Sequence, residues 1–267
     1  MSLIGRILPR RAPAAGPLIL GMLGTLAVLA VWHVAVATGL VLELSVPRPL
    51  HALARIGDLL QDSHFRAAVL DTMWTWLAAI LLTSAIAVPT GVLFGYFAFI
   101  YRSSSSLVNA GRSIPSTALI PIAILFFGLG FQMKLLIVTY AIFWPILINT
   151  SYGVRHVDRV MLHVGKSFRW STLKTLFRIV LPSATPYAAT GIRLAGGIGF
   201  IVVLSAELLG ASKGIGTVVR DYQQAERPDF VFGCILIIGF IGIFVYYGLR
   251  AIETRLFPWA DMNRGEG

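Results

Sequence analysis

The sequence contains a single cysteine, Cys234, inside an apolar stretch from Phe232 to Phe240. An internal disulfide is therefore excluded, and so is a metal site built on a cysteine cluster. Charge is also scarce: 13% of the 267 residues are charged and 57% are hydrophobic. So little polar surface cannot cover a water-facing globule. Acidic residues are the rarer sign, 12 against 22 Lys and Arg, and there are five histidines. These groups are scattered, with no convergent acid, base, nucleophile or metal spacing, which argues against an integral-membrane enzyme. A phosphate loop is missing too. Gly210 to Thr217 reads GASKGIGT, with Lys213 before Gly214, whereas a phosphate loop needs Lys and then Ser or Thr after its last glycine. The segment reads as a glycine-rich turn.

What the chain does have is long apolar runs. A helix needs roughly 20 residues to cross about 30 Å of hydrocarbon, and it satisfies its own backbone hydrogen bonds there. Six spans are expected: Pro17 to Leu42, Ala67 to Phe99, Leu107 to Leu129, Leu135 to Thr150, Tyr187 to Leu209 and Phe230 to Leu249. The fold class is thus an all-α membrane protein. It comprises an N-terminal segment (1–16), a six-helix domain (17–249) and a C-terminal tail (250–267). The first span follows a basic segment with no small-residue cleavage pattern and reads as retained. Pro89, Pro115, Pro121 and Pro145 interrupt the spans and predict kinks.

The basic residues orient the chain. Arg6, Arg10 and Arg11 precede span one, and six Lys and Arg against one acid, Asp158, fill the segment between spans four and five. Both segments are expected in the cytoplasm, with the C-terminal Arg250, Arg255 and Arg264. The net charge of +10 is thereby read as orientation and lipid contact, not nucleic-acid binding. Between spans one and two, Leu53, Ile56, Leu59 and Leu60 fall on one face of a short amphipathic helix expected at the outer interface, where packing on the bundle is the favoured role.

The ionisable residues inside span five are Arg193 and Glu207. Such residues need a partner or a wet cavity; structural pairing is the favoured reading and a pathway or gating contact with substrate the other, and Asp71 and Lys134 are read the same way. His33 has no titratable neighbour within helical reach and reads as polar packing. Ser113, Ser116, Thr117, Asn149, Thr150 and Tyr152 are candidates to line or gate a pathway, or simply to pack helices. Trp74, Trp76, Trp144 and Trp259 read as interface anchors.

The loop of about 152–182 is far longer than a turn requires. It carries Val160, Leu162, Val164, Phe168, Leu173, Leu176, Phe177 and Ile179 on a basic background. Such a helix can serve lipid or a protein partner equally well. Its spacing resembles the cytoplasmic signature of binding-protein-dependent ABC importer permeases: Glu-Ala-Ala, three residues, Gly, nine residues, Ile, one residue, Leu-Pro. Ile179, Leu181 and Pro182 keep the tail of that signature. Arg169 then stands at the glycine position, and His163, Val164 and Gly165 stand at the triplet. RSIPSTALIPIAILFFGLG (Arg112 to Gly130), FWPILINTSYGVR (Phe143 to Arg155), LPSATPYAATGIRLA (Leu181 to Ala195) and SAELLGASKGIG (Ser205 to Gly216) are similar, in the same order, to the nitrate, sulfonate and taurine branch.

The resemblance implies the type I ABC importer permease fold with a cytoplasmic coupling helix. It also implies two ATPase subunits, a second permease copy and an extracytoplasmic binding protein. ATP and Mg²⁺ would belong to the ATPase, leaving this chain without catalytic residues, cofactor or metal. The coupling candidates are His163, Val164, Gly165, Lys166 and Arg169, and a bulky residue at Gly165 would uncouple hydrolysis from transport. The substrate would be a small nutrient, with a preference for a sulfonate-, taurine- or nitrate-like anion. The alternative, a self-sufficient secondary transporter or channel, should show ion-coupling residues inside the membrane or discontinuous helices in two related halves. Neither is seen in the sequence.

Overall fold

Apolar runs of this length leave the backbone one way to satisfy itself, and the computed structural model is built of helices among the described residues. It describes residues 15–42 and 45–258, with side chains from Ile19 onward. The helices are α1 Ala15–Ala37, α2 Pro49–Gln61, α3 Ser63–Tyr96, α4 Ala98–Ser113, α5 Ile120–Phe127, α6 Phe131–Arg155, α7 Arg159–Ser167, α8 Thr172–Thr175, α9 Leu181–Leu209, α10 Ile215–Gln224 and α11 Pro228–Leu256. Among the described residues, five helices are long and apolar enough to span: α1, α3, α6, α11, and α9 with the residues leading into it. The expected cytoplasmic segment 1–16, with Arg6, Arg10 and Arg11, lies almost wholly outside the described residues, as do Trp259 and Arg264.

The sixth span differs from expectation. In place of one helix over Leu107 to Leu129, α4 stops at Ser113, a 3₁₀ turn covers Ser116–Leu119, and α5 departs at 79°. Pro115 causes the break. A residue before proline is driven out of the helical region, and Ile114 is extended (φ −78°, ψ 120°). Pro121 then sits in the first turn of α5, where its missing N–H costs nothing. Pro89 and Pro145, by contrast, lie inside unbroken helices. A discontinuous helix is therefore present after all. It is the only bent pair among the described residues, so it does not supply the two related halves of the alternative reading.

Helices α3, α6 and α9 make the core. In lipid their association depends on close packing, and small residues permit it. Gly91 and Gly95, four apart on α3, face Thr150 and Val154, four apart on α6; a Cβ on Gly91 would lie 2.7 Å from Thr150 Cβ, and one on Gly95 would lie 2.6 Å from Val154 Cβ. Gly191 of α9 similarly admits Asn149, whose amide donates to the Pro145 carbonyl at 2.8 Å. Asn149 and Thr150 thus serve helix packing. Gly95→Leu should destabilise the bundle by about 1–3 kcal/mol through overpacking. A lower melting temperature in detergent checks this, and an unchanged one contradicts it.

At one end of the bundle α2 lies along α11 and buries Ala52 and Leu59, whereas Leu53 and Leu60 of the expected apolar face are exposed: the buried stripe is turned by about one residue. Arg55 reaches Asp229 at 2.7 Å and Asp58 at 2.8 Å. Those hydrogen bonds, Asp58 first and then Asp229, raise the Arg55 pKa above its ordinary value. At the same end α10, read from sequence as a loop, buries Ile215, Val218 and Val219 with Phe65, Cys234 and Ile237. Helix α1 is peripheral and touches α11 through Trp32 on Phe232. His33 is exposed on α1, so polar packing within the chain is not its role. Trp74 is exposed, but Trp76 donates to the Gly196 carbonyl at 2.8 Å and Trp144 packs on Gly111. Those two are internal braces and not interface anchors.

Candidate functional site

The loop of 152–182 folds into α7, α8 and a wide π turn at Leu176–Val180, all at the end opposite α2 and α10. Asp158 starts α7 by accepting the Val160 N–H at 2.8 Å. The helix stops after nine residues through a Schellman arrangement: Arg169 N–H bonds the Lys166 carbonyl at 2.9 Å and Trp170 N–H bonds the Gly165 carbonyl at 3.0 Å. Such a cap needs a left-handed residue, and Arg169 has φ +53°. This explains the glycine in the signature that the loop resembles. At this position a glycine answers a backbone requirement, the left-handed φ, at no steric cost. Arg169→Gly should accordingly raise the stability of the permease by about 1 kcal/mol. Its thermal midpoint beside the native protein is the check, and a fall would contradict the cap.

The retained tail has an equally local cause. Pro182 has no N–H to donate and its ring crowds the preceding turn, so the helix widens ahead of it and Leu181 N–H reaches back to Leu176. The π turn thereby joins the α7–α8 segment to α9.

His163, Val164, Lys166 and Arg169 all face outward from α7. Gly165 does not. It is buried against its own chain, where a Cβ would meet Ile179 Cδ1 at 3.2 Å and Thr175 Oγ1 at 3.5 Å. The expectation that Gly165 presses on a partner is therefore corrected. A bulky residue there would push α7 off the π turn. Phe168 (70% exposed), Val160 (66%) and Met161 (52%) join Val164 as outward apolar side chains of this segment, which also exposes Lys166 and Arg169. Sequence reasoning counted Phe168 as apolar but did not single it out, because the side chain's direction depends on where the cap ends α7.

At the opposite end Glu207 is fully buried. Lys134 Nζ pairs with it at 3.0 Å, donates to the Lys213 carbonyl at 3.1 Å and pairs with Asp71. Thr72 Oγ1 is 2.9 Å from both Glu207 oxygens and accepts the Ile215 N–H at 2.9 Å, while Gly216 N–H donates to Glu207 at 3.1 Å. The carboxylate therefore sits at the first turn of α10, where backbone N–H groups and the helix dipole favour negative charge. GASKGIGT wraps this carboxylate: Gly214 adopts φ +124°, and a Cβ on Gly216 would strike Glu207 Cβ at 2.6 Å. Glu207 thus caps a loop, and Asp71 and Lys134 are its partners. A gating contact of Glu207 with substrate has no open surface in this arrangement. Among the predicted residues the network unites only these three. The turn glycines beside an acid at a span end were its one sequence signal.

Arg193 lies on α9, paired with Glu253 of α11 at 2.5 Å, and Thr190 donates to the same carboxylate at 2.8 Å. It is structurally paired, as the helix-interior position requires. Ser113 and Ser116 flank the Pro115 break; Ser113 Oγ donates to the Asn109 carbonyl at 2.8 Å. Among the described residues, no group of three or more His, Cys, Asp or Glu is placed to hold a metal ion.

Three comparisons bear on this geometry. The taurine transport system permease protein TauC of Escherichia coli strain K12 is 30% identical over 89% of this chain and 88% of its own. A putative aliphatic sulfonates transport permease protein, SsuC of Bacillus subtilis strain 168, is 26% identical over 92% of this chain and 89% of its own. In the solved structures, the inward-facing MetNI methionine ABC transporter contains a chain matching 70% of this one and 94% of itself, with a TM-score of 0.63 at 17% identity. That likeness establishes the type I importer permease fold. Residues 87–258 match the family model described as the inner-membrane component of binding-protein-dependent transport systems. The chain belongs to that family, and it is a multi-pass inner-membrane transport protein and not itself a catalytic enzyme.

Proposed function

We propose that this chain is the permease subunit of an ATP-driven importer for a small sulfonate-like anion. It would work with a second permease copy, two ATPase subunits that bind ATP and Mg²⁺, and an extracytoplasmic binding protein. The observation that carries the reading is α7. An exposed apolar patch with a basic rim, held by a built cap at one end of a membrane bundle, suits a protein groove. The taurine and sulfonate permeases among its relatives support both the assembly and the substrate class.

The α7 end is the cytoplasmic one in this reading. Arg155, Arg159, Lys166, Arg169, Lys174, Arg178, Arg250 and Arg255 gather there, as the positive-inside rule requires. Both termini then face the cytoplasm, and α2 and α10 face the binding protein. Closing the ATPase pair would draw the two α7 helices with it. Each α7 passes directly into α6 and, through the π turn, into α9, so its displacement tilts two of the three core helices together. The bundle is then the two-state element that nucleotide and binding protein both bias. ATP-dependent uptake of taurine or ethanesulfonate into liposomes holding the complete complex and its binding protein tests the assignment. Uptake that proceeds without the ATPase subunits would overturn it.

A further inference from the structure

A cleft of about 250 Å³ runs between α4 and α6 toward the α7 end. Its lining includes Arg112, Arg155, His156, Asn109 and Ser151, and no carboxylate. Among the described residues neither Arg112 nor Arg155 forms an ion pair with an acid. The Arg155 guanidinium lies 3.8 Å over the Tyr101 ring, which fixes its plane and leaves its N–H edges free for an acceptor. Ser151 is 6% exposed, and its buried hydroxyl has no hydrogen-bond partner. A buried hydroxyl left unpaired is costly, so something that fills this cleft should satisfy it.

Arg112 is far from the helix end. It follows Gly111, whose carbonyl accepts the Tyr140 hydroxyl at 2.6 Å, and Tyr140 lies roughly 20 Å along α6 from Arg155 at 1.5 Å per residue. Arg112 is exposed at that depth, and an arginine there with no acidic partner calls for water or an anion beside it. The Pro115 break begins three residues on, so the deeper cation sits beside the one discontinuity among the described helices.

We propose that this cleft binds a compact oxyanion at its mouth, held by Arg155 and by the Ser151 hydroxyl one helical turn before it, with Arg112 as a second cation deeper along the same cleft. The occupant assigned is the transported anion, and this choice rests on the importer reading. The head group of an anionic lipid offers the same chemistry.

The test is titration calorimetry of ethanesulfonate on the full-length permease in nanodiscs of phosphatidylcholine. Saturable binding is expected, weakened at least about tenfold when Arg112→Gln and Arg155→Gln are combined. Arg102→Gln, an exposed cation outside the cleft, should leave it unchanged, and the paired Arg112→Lys and Arg155→Lys variant should recover it. Native mass spectrometry of discs containing phosphatidylglycerol separates the two sources. Lipid retained by the wild type and lost by the glutamine pair, without ethanesulfonate binding, keeps the oxyanion site and overturns the transported anion as its occupant. If neither ligand binds, or if both bind the glutamine pair equally well, the site is overturned. The importer reading fails separately, through uptake that needs no ATPase.

Discussion

Lys134→Met is expected to destabilise the permease by about 3–5 kcal/mol, the usual cost of leaving a buried charge without its partner. The variant strands Glu207, which is fully buried, and removes the donor to the Lys213 carbonyl that holds the α9–α10 turn. Glu207→Gln should be milder, because an amide can keep the Thr72 contact without carrying charge into the interior. Combining Lys134→Met with Glu207→Met should be less damaging than the sum of the single changes, since a pair replaced by apolar groups of similar volume leaves no charge uncompensated. Melting temperatures of the wild type, the Lys134→Met and Glu207→Met single variants and the double variant in one detergent give the cycle. Strict additivity would show that the two groups do not depend on each other.

Phe168→Asp is expected to abolish capture of the ATPase while leaving the bundle intact. Phe168 is 70% exposed and lies beyond the last turn of α7; its ring contact is with Trp170, 6.4 Å between centroids, so its change leaves the α3–α6–α9 core untouched. If it enters an apolar groove of the ATPase, a carboxylate there forfeits an anchor worth about 2 kcal/mol or more, roughly a thirtyfold loss of affinity, before the cost of burying the charge is added. Pull-down of the ATPase with tagged wild-type and variant permease, at matched thermal midpoints, measures it. Full retention of the ATPase would mean that α7 docks through its basic rim or does not dock at all.

Much of the fold is legible because a membrane span has few alternatives: apolar length predicted α3, α6, α9 and α11 to within a few residues, except that α9 begins six residues earlier and α11 ends seven later. Span three was misread because hydropathy registers composition and not direction, and only the conformation imposed on Ile114 by Pro115 shows the turn. Helix α10 was missed although Ile215, Val218, Val219 and Tyr222 have helical spacing, because its polar face and ten-residue length look like a loop.

For the site, the signature tail pointed to the α7–α8 segment, and the cause of that tail is local: Pro182 widens the turn before α9. Arg169, at the glycine position of the signature, holds a strained cap. Which face of α7 is outward, and the convergence of Asp71, Lys134 and Glu207 from three helices, depend on tertiary packing that no single-sequence pattern carries.

The account rests on α7 meeting an ATPase. Purification of the tagged protein from its native membrane in mild detergent, with mass-spectrometric determination of the accompanying chains and their ratio, tests that most directly. A nucleotide-binding ATPase in equal amount to the permease is predicted. A stable particle containing this chain alone, under several gentle conditions, would contradict the importer and point to a self-sufficient transporter or channel.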